Sequence, residues 1–143
     1  MIIRNAFIFF FDDKKEEVKR DYLYENEKVE KIKIIIDYPV KSFKCLFHSC
    51  YCIEGLNIIK CYRTNIENME AMFINCYSLK EINLLNLKTN NVVSMKSMFY
   101  NCKSLIVPFI SNFNTENVKD MTYMFKGCES LKVINIYNFK IIM

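Results

Sequence analysis

Between Asn91 and Cys102 the apolar residues Val92, Met95, Met98, Phe99 and Cys102 recur at intervals of three and four. That spacing places them on one face of a helix, and Asn91, just before the run, is a favoured N-cap. In Leu79-Lys80-Glu81-Ile82-Asn83-Leu84-Leu85-Asn86 the period changes, with Ile82 and Leu84 alternating around Asn83. This half reads as a short strand. Further strands are expected at Phe7–Phe11 and at Ile32–Ile36, and a short charged helix at Asp12–Arg20.

The two halves recur. Cys50, Cys76, Cys102 and Cys128 lie 26 residues apart, and so do Phe47, Phe73, Phe99 and Phe125. Met69, Met95 and Met121 keep the interval, as do Ser78, Ser104 and Ser130, Asn65, Asn91 and Asn117, and Asn86, Asn112 and Asn138. No insertion interrupts the register from about Pro39 onward, so the chain is a repeat protein. One unit offers about nine inward apolar side chains, each worth roughly 1.5–3 kcal/mol when buried. Ordering 26 residues of backbone costs roughly 1–2 kcal/mol apiece, which is the larger total. A lone unit therefore cannot fold, and stability must come from the interfaces between stacked units.

The segment Leu79 to Asn86 fits the LxxLxLxxN pattern of leucine-rich repeats. The phrase Asn117-Val118-Lys119-Asp120-Met121-Thr122-Tyr123-Met124-Phe125-Lys126-Gly127-Cys128-Glu129-Ser130-Leu131 resembles the signature of the BspA-like leucine-rich repeat family, also known as a domain of unknown function on mycoplasma lipoproteins. Phe113 to Val118 and Met95 to Cys102 match it equally well, and the likeness covers residues 39–143. The resemblance implies an α/β repeat: a right-handed leucine-rich repeat solenoid of about four coils. Parallel short strands would line its concave side and short helices its convex side. Residues 39–64, 65–90, 91–116 and 117–143 would be its units. Residues 1–38 would form an N-terminal cap with the charged segment and a first, incomplete coil, because the first apolar face of a repeat array needs covering. The family's members are surface-exposed proteins, several of them adhesive, and the resemblance implies no chemistry.

Composition narrows the function. Half of the residues are hydrophobic (52%), which excludes a disordered chain. Both glycines stand alone, so a glycine-rich phosphate loop is excluded, and one histidine removes multi-histidine catalysis. Residues 12–38 carry seven basic and nine acidic side chains, whereas residues 39–143 carry twelve basic and seven acidic ones. Lys60, Arg63, Lys80, Lys88, Lys103, Lys126, Lys132 and Lys140 scatter over several columns and make no stripe, so a nucleic-acid partner is not expected. The apolar run Ala6–Phe11 is six residues long, against about 20 for a membrane span, and no signal-peptide cleavage site follows it. Membrane insertion is not expected, and location stays open: the family resemblance points to the cell surface, the missing signal to the cytoplasm.

Candidate chemistry is thin. The cysteine column reads as a buried packing ladder of reduced thiols rather than a set of disulfides, since stacked side chains point the same way. Cys45, His48, Cys50 and Cys52 cluster within eight residues, but the paired spacing of zinc sites is absent. No metal, cofactor or catalytic residue is expected. The Asn86, Asn112 and Asn138 column is expected to satisfy backbone groups after each strand. Residues flanking the inward strand positions would face out on the concave side, which makes Leu85, Val107, Phe109, Val133 and Tyr137 an exposed apolar patch and a candidate protein-binding site. An adhesive or antigenic surface module and an intracellular scaffold would use the same face. The strand after Leu131 has no polar capping segment, so edge pairing or a longer array is expected there. Pro108 takes the inward strand column of Leu56, Ile82 and Ile134, where a missing N–H predicts a broken ladder that resumes near Phe109 or Ile110.

Overall fold

A computed structural model describes residues 7–11, 31–36, 40–61 and 65–140. The charged helix expected at Asp12–Arg20 falls outside the described residues. The described residues hold five strands: β1 (Phe7–Phe11), β2 (Lys31–Ile36), β3 (Gly55–Cys61), β4 (Glu81–Asn83) and β5 (Val107–Phe109). They form one sheet in chain order, with β1 antiparallel to β2 and every later pair parallel.

Register follows the 26-residue period from β3 onward: Leu56 pairs with Ile82, and Ile82 with Pro108. Their side chains are buried and those of the flanking residues point away, the period-two alternation of a strand. The β2 register is shorter. Ile34 lies opposite Ile58, an offset of 24, where the sequence period places Ile32 there. Burial sets the pairing: the even offset puts Ile32 and Ile34 in the core opposite Leu56 and Ile58, and the irregularity after Ile34 shifts the offset to 25, so that Ile36 is buried opposite Cys61.

No helix occurs among the described residues. The run expected to be helical is a chain of turns at 44–49, 70–75, 96–101 and 122–127, joined across units by single bridges from Ser42 to Asn68, Asn68 to Ser94, and Ser94 to Asp120. The reason lies in where the N–H groups go. Phe43, Cys45, Phe47 and Ser49 donate to Asn68, Glu70, Met72 and Ile74 of the next unit at 2.8–3.0 Å. Between them, Leu46, His48 and Cys50 donate three residues back within their own unit. Every second donor is thus committed to a neighbour and none is left for an i to i−4 ladder. Two residues per unit sit in the left-handed region to make this possible: Cys45, Ala71, Ser97 and Tyr123 (φ 52–60°), then Ser49, Asn75, Asn101 and Gly127 (φ 57–79°). Such a residue costs roughly 1–2 kcal/mol unless it is glycine. Each of the first three in both columns is compensated by its own cross-unit bond. Gly127 takes the left-handed conformation without that cost, and a Cβ there would press on the side-chain amide of Asn101.

Between sheet and turns lies a single core of stacked columns. Phe47, Phe73, Phe99 and Phe125 stack with centroids 5.3–5.4 Å apart and planes within 9° of parallel. Met69, Met95, Leu79, Leu105, Val92 and Ile66 are buried beside them. Asn91, expected to cap a helix, instead turns its amide toward Asn65 Oδ1.

The ladder between β4 and β5 runs through Pro108 without interruption, which corrects the expected break. Leu84 N donates to Phe109 O, so alternation turns Val107 and Phe109 toward β4 and Pro108 toward the following unit. On that side Lys132 N donates to Ile106 O, the next rung needs the N–H that proline lacks, and residues 131–136 form no strand. Pairing does not resume there at Phe109 or Ile110.

Candidate protein-binding face

The outward side of β3–β5 carries two columns: Gly55, Glu81 and Val107, then Asn57, Asn83 and Phe109. Phe109 is half exposed at 49% because strand alternation turns it away from the core while buried Pro108 and Ile110 hold it from either side. It borders a groove of about 290 Å³ whose rim includes Lys33, Gly55, Asn57, Glu81 and Asn83. Gly55 contributes no side chain, which leaves the groove open beside Glu81. Val133 and Tyr137 share a second depression with Ile134, Asn135 and Ile136, and Tyr137 is almost fully exposed at 94%. Leu85 is exposed in the turn after β4, while Val107 is only half exposed, and neither lines these two recesses. The structure thus brings Val133 and Tyr137 together and sets Phe109 apart in its own groove.

The columns around this face are held by side chain to backbone bonds that run from unit to unit. Asn86 Nδ2 donates to the carbonyls of Ile58 and Ile59 (3.0 and 2.8 Å), Asn112 to those of Leu85 and Leu87 (2.7 and 3.1 Å), and Asn138 to that of Ser111 (2.7 Å). These amides fix the turn after each strand, and with it the orientation of the outward residues.

None of the seven cysteines is in a disulfide. The ladder does more than pack. Cys76 Sγ donates to Phe47 O at 2.9 Å, Cys102 Sγ to Phe73 O at 3.0 Å and Cys128 Sγ to Phe99 O at 3.1 Å. The same carbonyls accept Cys50, Cys76 and Cys102 N–H, so each phenylalanine carbonyl uses both lone pairs. Sequence reasoning treats cysteine here as a small hydrophobe and misses the bond; its only trace is that the column holds cysteine in every unit. The Cys50 thiol is shifted up through its contact with Cys76 and by burial, and burial likewise raises Cys102 and pushes Cys128 up to about 11.

Cys45, Cys52 and His48 are exposed while Cys50 is buried, so the four do not converge. Among the described residues no group of three or more His, Cys, Asp or Glu is placed to hold a metal ion, and no helix is long and apolar enough to cross a membrane. Several of the scattered lysines meet acids one unit away: Lys80 with Glu54 (2.7 Å), Lys103 with Glu129 (3.1 Å) and Lys140 with Glu116 (3.4 Å). These exposed pairs favour correct stacking register more than they add stability.

No curated protein and no solved structure matches the chain. A family model described as a Mycoplasma protein of unknown function, DUF285, matches residues 41–142, the span over which the stacked columns run. The chain therefore belongs to the DUF285 family of Mycoplasma proteins of unknown function.

Proposed function

We propose that this chain is a non-enzymatic protein–protein interaction module of the BspA-like leucine-rich repeat type, built as a solenoid of 26-residue units and serving in surface adhesion or as an antigen. The observation that carries the reading is the outward display of large apolar side chains: Phe109, which strand alternation turns away from the core, and Val133 and Tyr137, which are exposed in the segment after β5. Aromatic side chains in such positions supply most of the energy of protein interfaces, and burying them returns about 25 cal/mol per Å² of apolar surface. The groove beside Phe109 adds polar groups, Asn57, Asn83 and Glu81, that can fix a partner's orientation.

The test is a capture experiment with the purified chain against extracellular-matrix proteins and, separately, cytosolic extract. It is repeated with a Phe109→Asp, Tyr137→Asp double variant whose melting temperature matches the parent. The expected outcome is a matrix protein retained by the parent and lost by the variant. A partner drawn from the cytosol would move the module inside the cell. A variant that retains the same proteins as the parent would refute this face as the binding site.

A further inference from the structure

Residues 39–143 carry seven acidic side chains. Glu54, Glu67, Glu70, Glu116, Asp120 and Glu129 each lie 2.7–3.9 Å from a lysine of a neighbouring unit. Glu81 is the exception, with no ion pair among the described residues. Its column explains why: the equivalent positions one unit away are Gly55 and Val107, which carry no charge. Glu81 therefore takes no part in the stacking register, and it stands exposed at the rim of the Phe109 groove. Two amides of that groove are also unspent. Asn83 accepts Leu85 N–H on Oδ1 and keeps both Nδ2 hydrogens. Asn57 sits within the longer strand β3, makes no such turn, and has no side-chain hydrogen bond among the described residues. Asn57, Asn83 and Phe109 form one row across three strands. Glu81 lies one strand over from Phe109 and two residues along, about 8 Å away by strand spacing and rise.

We propose that this groove receives an arginine side chain of the protein partner, an inference that rests on the reading of the outward face as a protein-binding site. The Glu81 carboxylate supplies the complementary charge, and its two oxygens accept two parallel N–H bonds from a guanidinium. The separation from Phe109 lets the same guanidinium lie over the ring within the ~6 Å of a cation–π contact. Asn57 Oδ1 is an acceptor for a remaining N–H. Lysine matches less well, because an ammonium is a point charge that neither forks nor stacks. Size agrees. At about 290 Å³ the groove falls at the bottom of the roughly 300–1,000 Å³ of small-molecule pockets, so it suits one long side chain. Lys33, the basic residue of the lining, is two strands from Glu81, on β2. A neutral ligand would use the amides and the ring but leave the charge of Glu81 unmatched.

The probe is the peptide acetyl-Gly-Gly-Arg-Gly-Gly-amide, with citrulline and lysine versions as controls. Each is titrated into the 143-residue chain at fixed ionic strength and followed by NMR. The arginine peptide should shift the side-chain amides of Asn57 and Asn83 and the ring of Phe109, with a dissociation constant on the order of 10 mM. The citrulline peptide should bind about tenfold more weakly, and the lysine peptide severalfold more weakly. Glu81→Gln should weaken arginine binding about tenfold. Glu129→Gln, which removes an acid already paired with Lys103, should leave it unchanged; both variants are compared at matched melting temperature. Absence of shifts up to about 100 mM, ten times the expected constant, overturns the proposal. So do equal shifts from citrulline or lysine, or full binding by Glu81→Gln. In the capture experiment Glu81→Gln should weaken retention of the partner. A partner that Glu81→Gln retains in full but the Phe109→Asp, Tyr137→Asp variant loses overturns the arginine site and leaves the protein-binding face standing.

Discussion

Replacing Phe99 by alanine tests the stacked core most directly. Its ring has no exposed surface and lies between Phe73 at 5.4 Å and Phe125 at 5.3 Å, within 9° of parallel to both. Centroids farther apart than the ~3.5–4.0 Å of carbon contact mean offset stacking, the favourable arrangement for aromatic quadrupoles. Truncation of a buried phenylalanine costs roughly 3–5 kcal/mol. Two aromatic neighbours place Phe99 at the upper end of that range, because neither ring can follow the withdrawn atoms without leaving its own partner. Phe125→Ala is the internal control: one ring contact is lost instead of two, and the site is already partly open, so about half the loss is expected. Urea denaturation followed by circular dichroism reads both, with m compared so that a change in the unfolded state is not mistaken for a change in stability. A loss under about 1 kcal/mol for Phe99→Ala, or equal losses at the two positions, would refute the column as the organising element of the core.

Three further outcomes follow from the same geometry. Thiol-specific alkylation without reductant should modify Cys45 and Cys52 quickly and Cys50, Cys76 and Cys102 only on unfolding, with seven thiols counted in denaturant; recovering two or fewer would mean cross-linking. Because folding raises the Cys128 thiol from 9.0 to about 11, the unfolded chain releases its proton first, so stability should fall as pH rises from 9 to 11, and Cys128→Ala should flatten that slope. Pro108→Ile restores an N–H on the side that faces residues 131–136, and exchange of the Asn135 amide, which would donate to the residue 108 carbonyl in that rung, should slow; unchanged exchange would show that the proline is not what ends the sheet.

The period of 26 and the identity of the columns were legible in the sequence, because stacking in register forces equivalent residues into the same surroundings. Phenylalanine repeats where rings stack, asparagine where an amide must reach the previous turn, and alternating apolar residues where a strand is buried on one side. Conformation within the turns was not legible. Apolar residues at intervals of three and four fit a helix and fit equally a run of turns with alternate N–H groups turned outward. What separates the two is the destination of those groups, which is decided by the neighbouring unit. The left-handed residues illustrate the limit. Asn75, Asn101 and Gly127 carry a local hint, while Cys45, Ala71 and Ser97 carry none, since their N–H groups are turned to a bond with the next unit. The candidate face divides in the same way. Outward placement of Phe109 followed from strand alternation alone, whereas the division into a Phe109 groove and a Val133–Tyr137 depression was decided only where the β5 ladder meets Pro108. Local pattern fixes which side chains are buried; hydrogen-bond closure across 26 residues fixes the backbone that carries them.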